Sequence, residues 1–174
     1  FIGPPLVTSF QKQYGFSETD AKKAVDIYRE RYQPIGVYEC SLYDGVRECI
    51  MDLKAKGYRI GMASSKPEVS CRKILEHFDI LDLFDDVVGA TLDGKIDTKE
   101  EVLNEVIRRW SDIPKEQMCL IGDTIFDVEG ANKVGMPCIG VSFGFGDVKQ
   151  MSEAGAITIC DHMNQVPEAI ERGF

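Results

Sequence analysis

From Asp44 to the end of the chain, short apolar runs alternate with segments whose apolar residues recur every three or four positions. The second pattern indicates amphipathic helices, and an unbroken apolar run between helices indicates a strand that is buried on both faces. Strands separated by helices form a parallel sheet with helices packed against it. We therefore predict an α/β fold, a doubly wound parallel sheet, with strands at 58–63, 86–89, 118–121, 138–141 and 156–159.

Helix-end signals place the helices around those strands. Ser17 followed by acidic residues predicts a helix start, and apolar residues every three to four positions continue to Tyr32, just before Pro34. No strand is predicted before residue 58. Pro67 suits the first residue of a helix, and Thr98 with a glutamate three positions later forms a capping-box pattern. Further helices are predicted at 46–53, 67–75, 98–110, 127–134, 147–153 and 166–172.

The charge balance limits the partners. The chain carries 20 Lys and Arg residues against 29 Asp and Glu residues, which gives a formal net charge of −9. Such a chain repels nucleic acid and anionic membranes at long range, so neither is an expected partner. No apolar run approaches the length of a membrane span. An anionic substrate would need positive charge supplied locally by the site.

The six cysteines are spread along the chain without a C-x-x-C pair. Structural zinc sites usually contain close ligand pairs, so we predict no such site. The chain has enough apolar residues for a core and does not need disulfides for stability. We therefore expect reduced, mostly buried thiols and a cytoplasmic location.

Polar residues follow two of the predicted strands, at the edge where parallel sheets bind ligands. Ser64 and Ser65 precede a helix start, where hydroxyls and free amides favour an anion, although a simple helix cap would have the same pattern. Asp123 and Asp127 flank a strand-to-helix turn that begins with Gly122. Two such carboxylates suit Mg²⁺ beside a phosphate, or else serve as a helix cap and a first-turn acid.

A lysine at a helix start is unfavourable against the helix dipole, which marks Lys99 as a candidate to neutralise a phosphoryl oxygen or a carboxylate. Lys95 is the competing choice. The Gly-x-Gly at 144–146 is a poor match to a dinucleotide-binding loop, and no Walker A sequence occurs. His77 and His162 have no partner at a useful spacing.

Taken in order, Ser64 after a strand, Lys99, and the G-D-x-x-x-D sequence at 122–127 resemble motifs of the haloacid dehalogenase (HAD) superfamily. The spacing of Lys99 to Asp123 fits the family better than that of Lys95. The sequences at 1–6, 43–46, 65–67 and 140–146 are similar to the phosphoglycolate-phosphatase-like branch, which has a small helical cap.

This resemblance implies a Rossmann-like core at 39–174 with part of a helical cap at 1–38. It also implies a Mg²⁺-dependent phosphatase acting on a small phosphorylated metabolite through an aspartyl-phosphate intermediate. Ser64, Ser65 and Lys99 would bind the phosphoryl group, with Lys99, Ser64 and Asp123 in catalytic roles. Asp123 and Asp127 would hold Mg²⁺, with Asp127 either a second ligand or an orienting group.

The sequence departs from the family pattern at one motif. The nucleophile-bearing D-x-D-x-T sequence does not occur in the 174 residues. We expect it to precede Phe1, on a central strand of the sheet, and we expect the 174 residues alone to be inactive. Three other functions stay open, namely a nucleotide or sugar-phosphate phosphatase, a catalytically silent binding protein of the same fold, and a receiver domain, although a receiver domain has no cap.

Overall fold

The computed structural model describes residues 6–173. Its first part is helical, with α1 at Leu6–Tyr14 and α2 at Glu18–Tyr32, followed by a 3₁₀ turn at Gly36–Tyr38. The predicted start of α2 is confirmed, because the Ser17 hydroxyl accepts a hydrogen bond from the Asp20 N–H at 3.1 Å. The sequence at 1–6 that supports the family resemblance lies almost entirely outside the described residues. The predicted division into a cap at 1–38 and a core at 39–174 stays a prediction.

The rest of the chain alternates between helices and strands, as predicted. All the strand pairs are parallel, with β1 beside β2 and β3, β4 and β5 in that order. Among the described strands, β1 and β3 each pair on one side only, and the additional central strand stays a prediction. The helices are α3 Val46–Ala55, α4 Glu68–His77, α5 Lys99–Arg109, α6 Ile125–Val134, α7 Val148–Glu153 and α8 Val166–Glu171. The strands are β1 Gly61–Pro67, β2 Asp86–Ala90, β3 Leu120–Gly122, β4 Cys138–Val141 and β5 Ile159–Cys160.

Three predicted strand positions were wrong at their ends. The strand predicted at 58–63 begins at Gly61 and continues to Pro67, with an irregularity in its pairing between Ser64 and Pro67. Pro67 is therefore the residue before α4 rather than its first residue. The runs at 118–121 and 156–159 pair only at 120–122 and 159–160. The apolar residues before these strands lie in the preceding segments, where Met118 is buried and Ile157 is 47% exposed.

Packed side chains cover both faces of the β3–β4–β5 sheet. One cluster joins α5 and α6 to the sheet and includes Leu103, Val128 and Cys138. A second joins α3 and α8 to the other face and includes Leu53 and Ile139. This arrangement confirms the doubly wound fold. No helix within residues 6–173 is both long and apolar enough to cross a bilayer.

The cysteines follow the sequence-based expectation. All six are free thiols, and four of them are buried. Burial raises the pKa of Cys138 to about 12 and that of Cys119 to about 11. These thiols therefore contribute to packing as small apolar groups.

Candidate functional site

Lys99 stands at the first position of α5 and reaches across to β1. Its Nζ donates a hydrogen bond to the Ala63 carbonyl at 3.0 Å and pairs with Asp127 Oδ1 at 2.8 Å. The competing residue Lys95 pairs with its neighbour Asp93, and its side chain is 82% exposed. The structure thus brings Lys99, and not Lys95, to the carboxyl end of β1.

Asp127 lies at the start of α6 and is buried. Its Oδ2 accepts hydrogen bonds from the N–H groups of Asp123 at 3.2 Å and Thr124 at 3.0 Å, and from the Thr124 hydroxyl at 2.8 Å. Burial raises the pKa of the Asp127 carboxyl. The Lys99 charge and the hydrogen bonds from Lys99 and Thr124 outweigh that effect, so the pKa lies below its usual value. Both carboxylate oxygens are engaged by the protein, which favours an orienting role.

The turn around Asp127 also caps α6, since Thr124 and Asp127 form a capping box. The alternative interpretation is therefore correct for Asp127 as the first-turn acid, whereas the cap is Thr124 rather than Asp123. The two readings are compatible, since the same hydrogen bonds start α6 and hold Asp127 toward Lys99. Gly122 makes this close arrangement feasible. A Cβ atom at Gly122 would lie 2.3 Å from the Asp127 Cβ.

Asp123 is half-buried and is held by a loop that follows β4. Its Oδ2 accepts a hydrogen bond from the Phe145 N–H at 3.0 Å, and its carbonyl oxygen accepts one from the Gly146 N–H at 2.9 Å. Within residues 6–173, the hydrogen bonds to this carboxylate involve Oδ2 only. The phenol of Tyr43 is near enough that burial and the Asp123 charge together raise the Tyr43 pKa.

Two glycines allow these side chains to reach their places, and the sequence analysis did not identify either role. A Cβ atom on Gly130 would lie 2.4 Å from Lys99 Cγ, and one on Gly144 would lie 2.2 Å from Asp123 Cβ. The role of Gly130 could have been predicted, because a glycine in the interior of a helix is unfavourable unless close packing requires it. The sequence analysis gave the loop at 144–146 no contact with Asp123, whereas the backbone of this loop holds that residue.

Ser64 and Ser65 lie near the end of β1, one and two residues beyond the carbonyl that Lys99 contacts. The Ser64 hydroxyl accepts a hydrogen bond from the Lys66 N–H at 3.1 Å and borders the buried thiol of Cys71. The Lys66 side chain turns toward the helical part, where its Nζ donates to the Tyr32 hydroxyl. The sequence analysis did not predict this contact between Lys66 and Tyr32.

The remaining candidates have other neighbours. His77 packs against the rings of Tyr38 and Phe78, and His162 precedes the short turn at Met163–Gln165. The groups that meet at the sheet edge are therefore those in the G-D-x-x-x-D sequence together with Lys99 and the end of β1.

The site offers carboxylate oxygens as ligands for a divalent cation. No cluster of three or more histidine, cysteine or acidic side chains occurs within the described part of the chain. Mg²⁺ usually binds through one or two carboxylates, with waters and phosphate oxygens completing its shell. Asp123 fits as one such carboxylate, because its Oδ1 accepts no hydrogen bond from residues 6–173.

Comparison with known proteins gives one matching family. The sequence model of the haloacid dehalogenase-like hydrolases matches residues 1–141. The solved structure of a predicted phosphatase from Clostridium acetobutylicum superposes with a TM-score of 0.93 and 39% identity, over 98% of this chain and 78% of that one.

Curated relatives carry several activities. A 5'-nucleotidase from Pseudomonas aeruginosa is 35% identical over 98% of this chain and 77% of its own length. The tyrosine-protein kinase PtkA from Mycobacterium tuberculosis is 31% identical over 98% of this chain, which spans only 57% of PtkA. A phosphoglycolate phosphatase from Colwellia psychrerythraea is 26% identical over 89% of this chain and 68% of its own length.

Proposed function

The chain belongs to the haloacid dehalogenase-like hydrolase family, and from that premise we propose that it forms the phosphate- and metal-binding part of a Mg²⁺-dependent phosphatase. The substrate is a small phosphomonoester. One observation carries the proposal, namely that Lys99 joins the end of β1 to Asp127, which in turn holds the backbone of Asp123. Lys99, Asp123 and Asp127 are residues that the family resemblance selects, and the Ala63 carbonyl that Lys99 contacts directly precedes the fourth, Ser64.

The proposed roles follow from the contacts. The Ser64 hydroxyl and the Ser65 N–H bind phosphoryl oxygens, and Lys99 pairs with the transferring group. Asp123 holds Mg²⁺, which supplies charge neutralisation of the phosphoryl oxygens. Asp127 is a positioning residue, because its oxygens orient Lys99 and the Asp123 turn.

The formal charges of the proposed site support an anionic substrate. Asp123 and Asp127 contribute −2, while bound Mg²⁺ and Lys99 contribute +3. These four groups together are therefore positive by one unit, although the chain carries a net charge of −9. A phosphate dianion would be attracted there, because phosphoryl transfer depends mainly on positioning and charge compensation.

The covalent step needs a carboxylate that these 174 residues do not supply in the D-x-D-x-T form. In the proposed reaction, a carboxylate oxygen attacks phosphorus while the bond to the leaving oxygen breaks and that oxygen takes a proton from an acid. Water then attacks the aspartyl-phosphate and releases inorganic phosphate, regenerating the carboxylate. Such covalent catalysis divides one difficult step into two.

The family resemblance favours a phosphoglycolate-like substrate, and a nucleotide or a sugar phosphate is the alternative within the same mechanism. We propose a cytoplasmic location, which the six free thiols support, because thiols stay reduced in that compartment. The presence of Ser64, Lys99 and Asp123 at one site favours a catalytic function over that of a catalytically silent binding protein.

The metal role is tested by Asp123→Asn in the full-length gene product. Losing one carboxylate ligand should lower kcat by about 10²-fold or more and raise the Mg²⁺ concentration needed for half-maximal rate. Asp112→Asn is the matched control, since that exposed carboxylate pairs with Arg59 away from the site. Near-normal turnover and Mg²⁺ dependence in Asp123→Asn would refute the assignment.

The origin of the nucleophile is tested with the purified 174-residue chain. We expect it to release no phosphate from p-nitrophenyl phosphate above the rate of buffer with Mg²⁺. Metal-dependent turnover by this chain would show that its own residues supply the nucleophile.

A further inference from the structure

Two tyrosines form a stacked pair on one face of α2. The rings of Tyr28 and Tyr32 have centroids 5.1 Å apart and planes inclined by 17°, and Tyr28 is 40% exposed. Side chains four residues apart on a helix are natural neighbours, so the stacking alone indicates only local stabilisation. What distinguishes this pair is its connection to the phosphate site.

The connection runs through Lys66. The Lys66 Nζ donates to the Tyr32 hydroxyl and lies 5.0 Å from the centre of the Tyr32 ring. The backbone N–H of the same residue donates to the Ser64 hydroxyl at 3.1 Å. Lys66 therefore links the Tyr32 ring to the backbone beside the Ser64 hydroxyl.

An aromatic face beside a cation suits a particular leaving group. A two-carbon leaving group such as glycolate offers the rings no aromatic surface to stack on. A nucleobase presents a flat π surface that stacks on tyrosine, and its ring acceptors can take hydrogen bonds from lysine. A ribose joins such a base to the phosphate.

We propose that Tyr28 and Tyr32 are the platform on which the base of a nucleoside 5'-monophosphate stacks while its phosphate lies at Ser64 and Lys99. This proposal rests on the proposed phosphatase function and names its substrate class. The two tyrosines determine specificity, with Lys66 at the edge of the base site.

The test compares adenosine 5'-monophosphate with ribose 5-phosphate, which has the same phosphate and sugar but no base. For the full-length gene product, we expect kcat/KM to be about 10-fold or more higher for the nucleotide. Tyr28→Leu should reduce that ratio to near one with little change for ribose 5-phosphate. Tyr28→Phe should keep the ratio, because it retains the ring. Tyr38→Leu, an exposed tyrosine whose ring contacts His77, is the matched control and should also keep it.

Equilibrium binding of the same two compounds, measured by titration calorimetry, separates the two proposals. Turnover of both compounds at equal efficiency, or an unchanged ratio in Tyr28→Leu, would overturn the platform and leave the phosphatase standing. Tighter binding of the nucleotide that Tyr28→Leu abolishes, without phosphate release by any variant, would support the platform and overturn the phosphatase. Equal binding of the two compounds without turnover would overturn both.

Discussion

At the scale of single residues, the site depends on glycines that leave space for neighbouring side chains as well as on the side chains themselves. Lys99 passes over Gly130 on its way to Asp127, and a Cβ atom at Gly130 would lie 2.4 Å from Lys99 Cγ. Gly144 leaves the corresponding space for Asp123. These contacts join segments that lie far apart in the sequence, so the geometry is sensitive to single methyl groups.

Gly130→Ala should therefore impair catalysis without removing any functional group. The added methyl would push Lys99 away from Asp127, and we expect phosphatase kcat to fall by about 10-fold or more. Unfolding in urea should also show a loss of stability of about 1–3 kcal/mol, because the methyl would clash with Lys99 Cβ and Cγ, which lie close to the α5 backbone. Glu129→Ala, at an exposed neighbouring position, is the control. Full activity in Gly130→Ala would show that Lys99 can act from another position.

Thr124→Val should lower the free energy of unfolding, because it removes one buried hydrogen bond. The Thr124 hydroxyl donates to Asp127 Oδ2 at 2.8 Å, and valine keeps the shape while losing the donor. Hydrogen bonds to charged groups contribute about 1.5–3 kcal/mol, so the free energy of unfolding should fall by about that amount in a urea titration. Thr19→Val, at an exposed site, should change it by less than about 0.5 kcal/mol. Equal values for the two variants would contradict this account.

Residue-level prediction from the sequence succeeded where chemistry and local spacing coincide. Lys99 was preferred over Lys95, and the structure places it against Asp127. The hydrogen bond from Phe145 to Asp123 and the contact of Lys66 with Tyr32 were missed. Each joins segments more than twenty residues apart, and neither follows from a local pattern.

At the scale of elements, the functional residues stand where strands end and helices begin. Lys99 opens α5 and Asp127 lies in the first turn of α6. The start of α5 is fixed by a complete capping box, in which the Thr98 hydroxyl accepts from the Glu101 N–H and the Glu101 carboxylate accepts from the Thr98 N–H. The cap therefore determines where the Lys99 backbone lies.

Thr98→Ala should loosen the start of α5. Loss of an N-cap hydroxyl costs about 0.5–2 kcal/mol, and we expect that decrease in the free energy of unfolding. Thr98→Ser retains the hydroxyl and should restore most of the loss. Amide hydrogen exchange at 99–102 should be faster in the alanine variant only, and equal exchange in both variants would contradict a role for the cap.

Element types were more predictable than element ends. Helices with explicit start and stop signals were placed within two residues, including the one closed by Gly135, whose left-handed backbone ends α6, although Pro67 lies just before α4 and not within it. Strands were displaced by up to three residues at their starts, because apolar residues also occur in the segments before them, whether buried as Met118 is or exposed as Tyr58 and Ile157 are. An apolar run therefore does not fix the ends of a strand, which are set by pairing with neighbours that are distant in sequence.

At the scale of the whole molecule, the fold buries most of the thiols and so lowers their reactivity. Burial raises the pKa of Cys49 and Cys119 to about 11 and that of Cys138 to about 12. Because a higher pKa means less thiolate, roughly one in a thousand of a thiol with a pKa near 11 is ionised at pH 8. Cys40 is exposed.

The native protein should therefore show one fast-reacting thiol, Cys40, when treated with a disulfide reagent at pH 8. The other five should react only after unfolding in urea, and Cys40→Ser should remove the fast phase. A fast phase of two or more thiols in the native protein would contradict the packing of the described core.

The central claim is that Lys99, held between β1 and Asp127, serves a phosphatase site. The most direct test measures inorganic phosphate released from a small phosphomonoester by the full-length gene product, comparing Lys99→Met with Lys95→Met. We predict Mg²⁺-dependent release that is abolished by EDTA, about 10²-fold or more lower in Lys99→Met, and within about twofold of wild type in Lys95→Met. Equal rates in the two variants, or no release by the wild-type protein, would contradict the account.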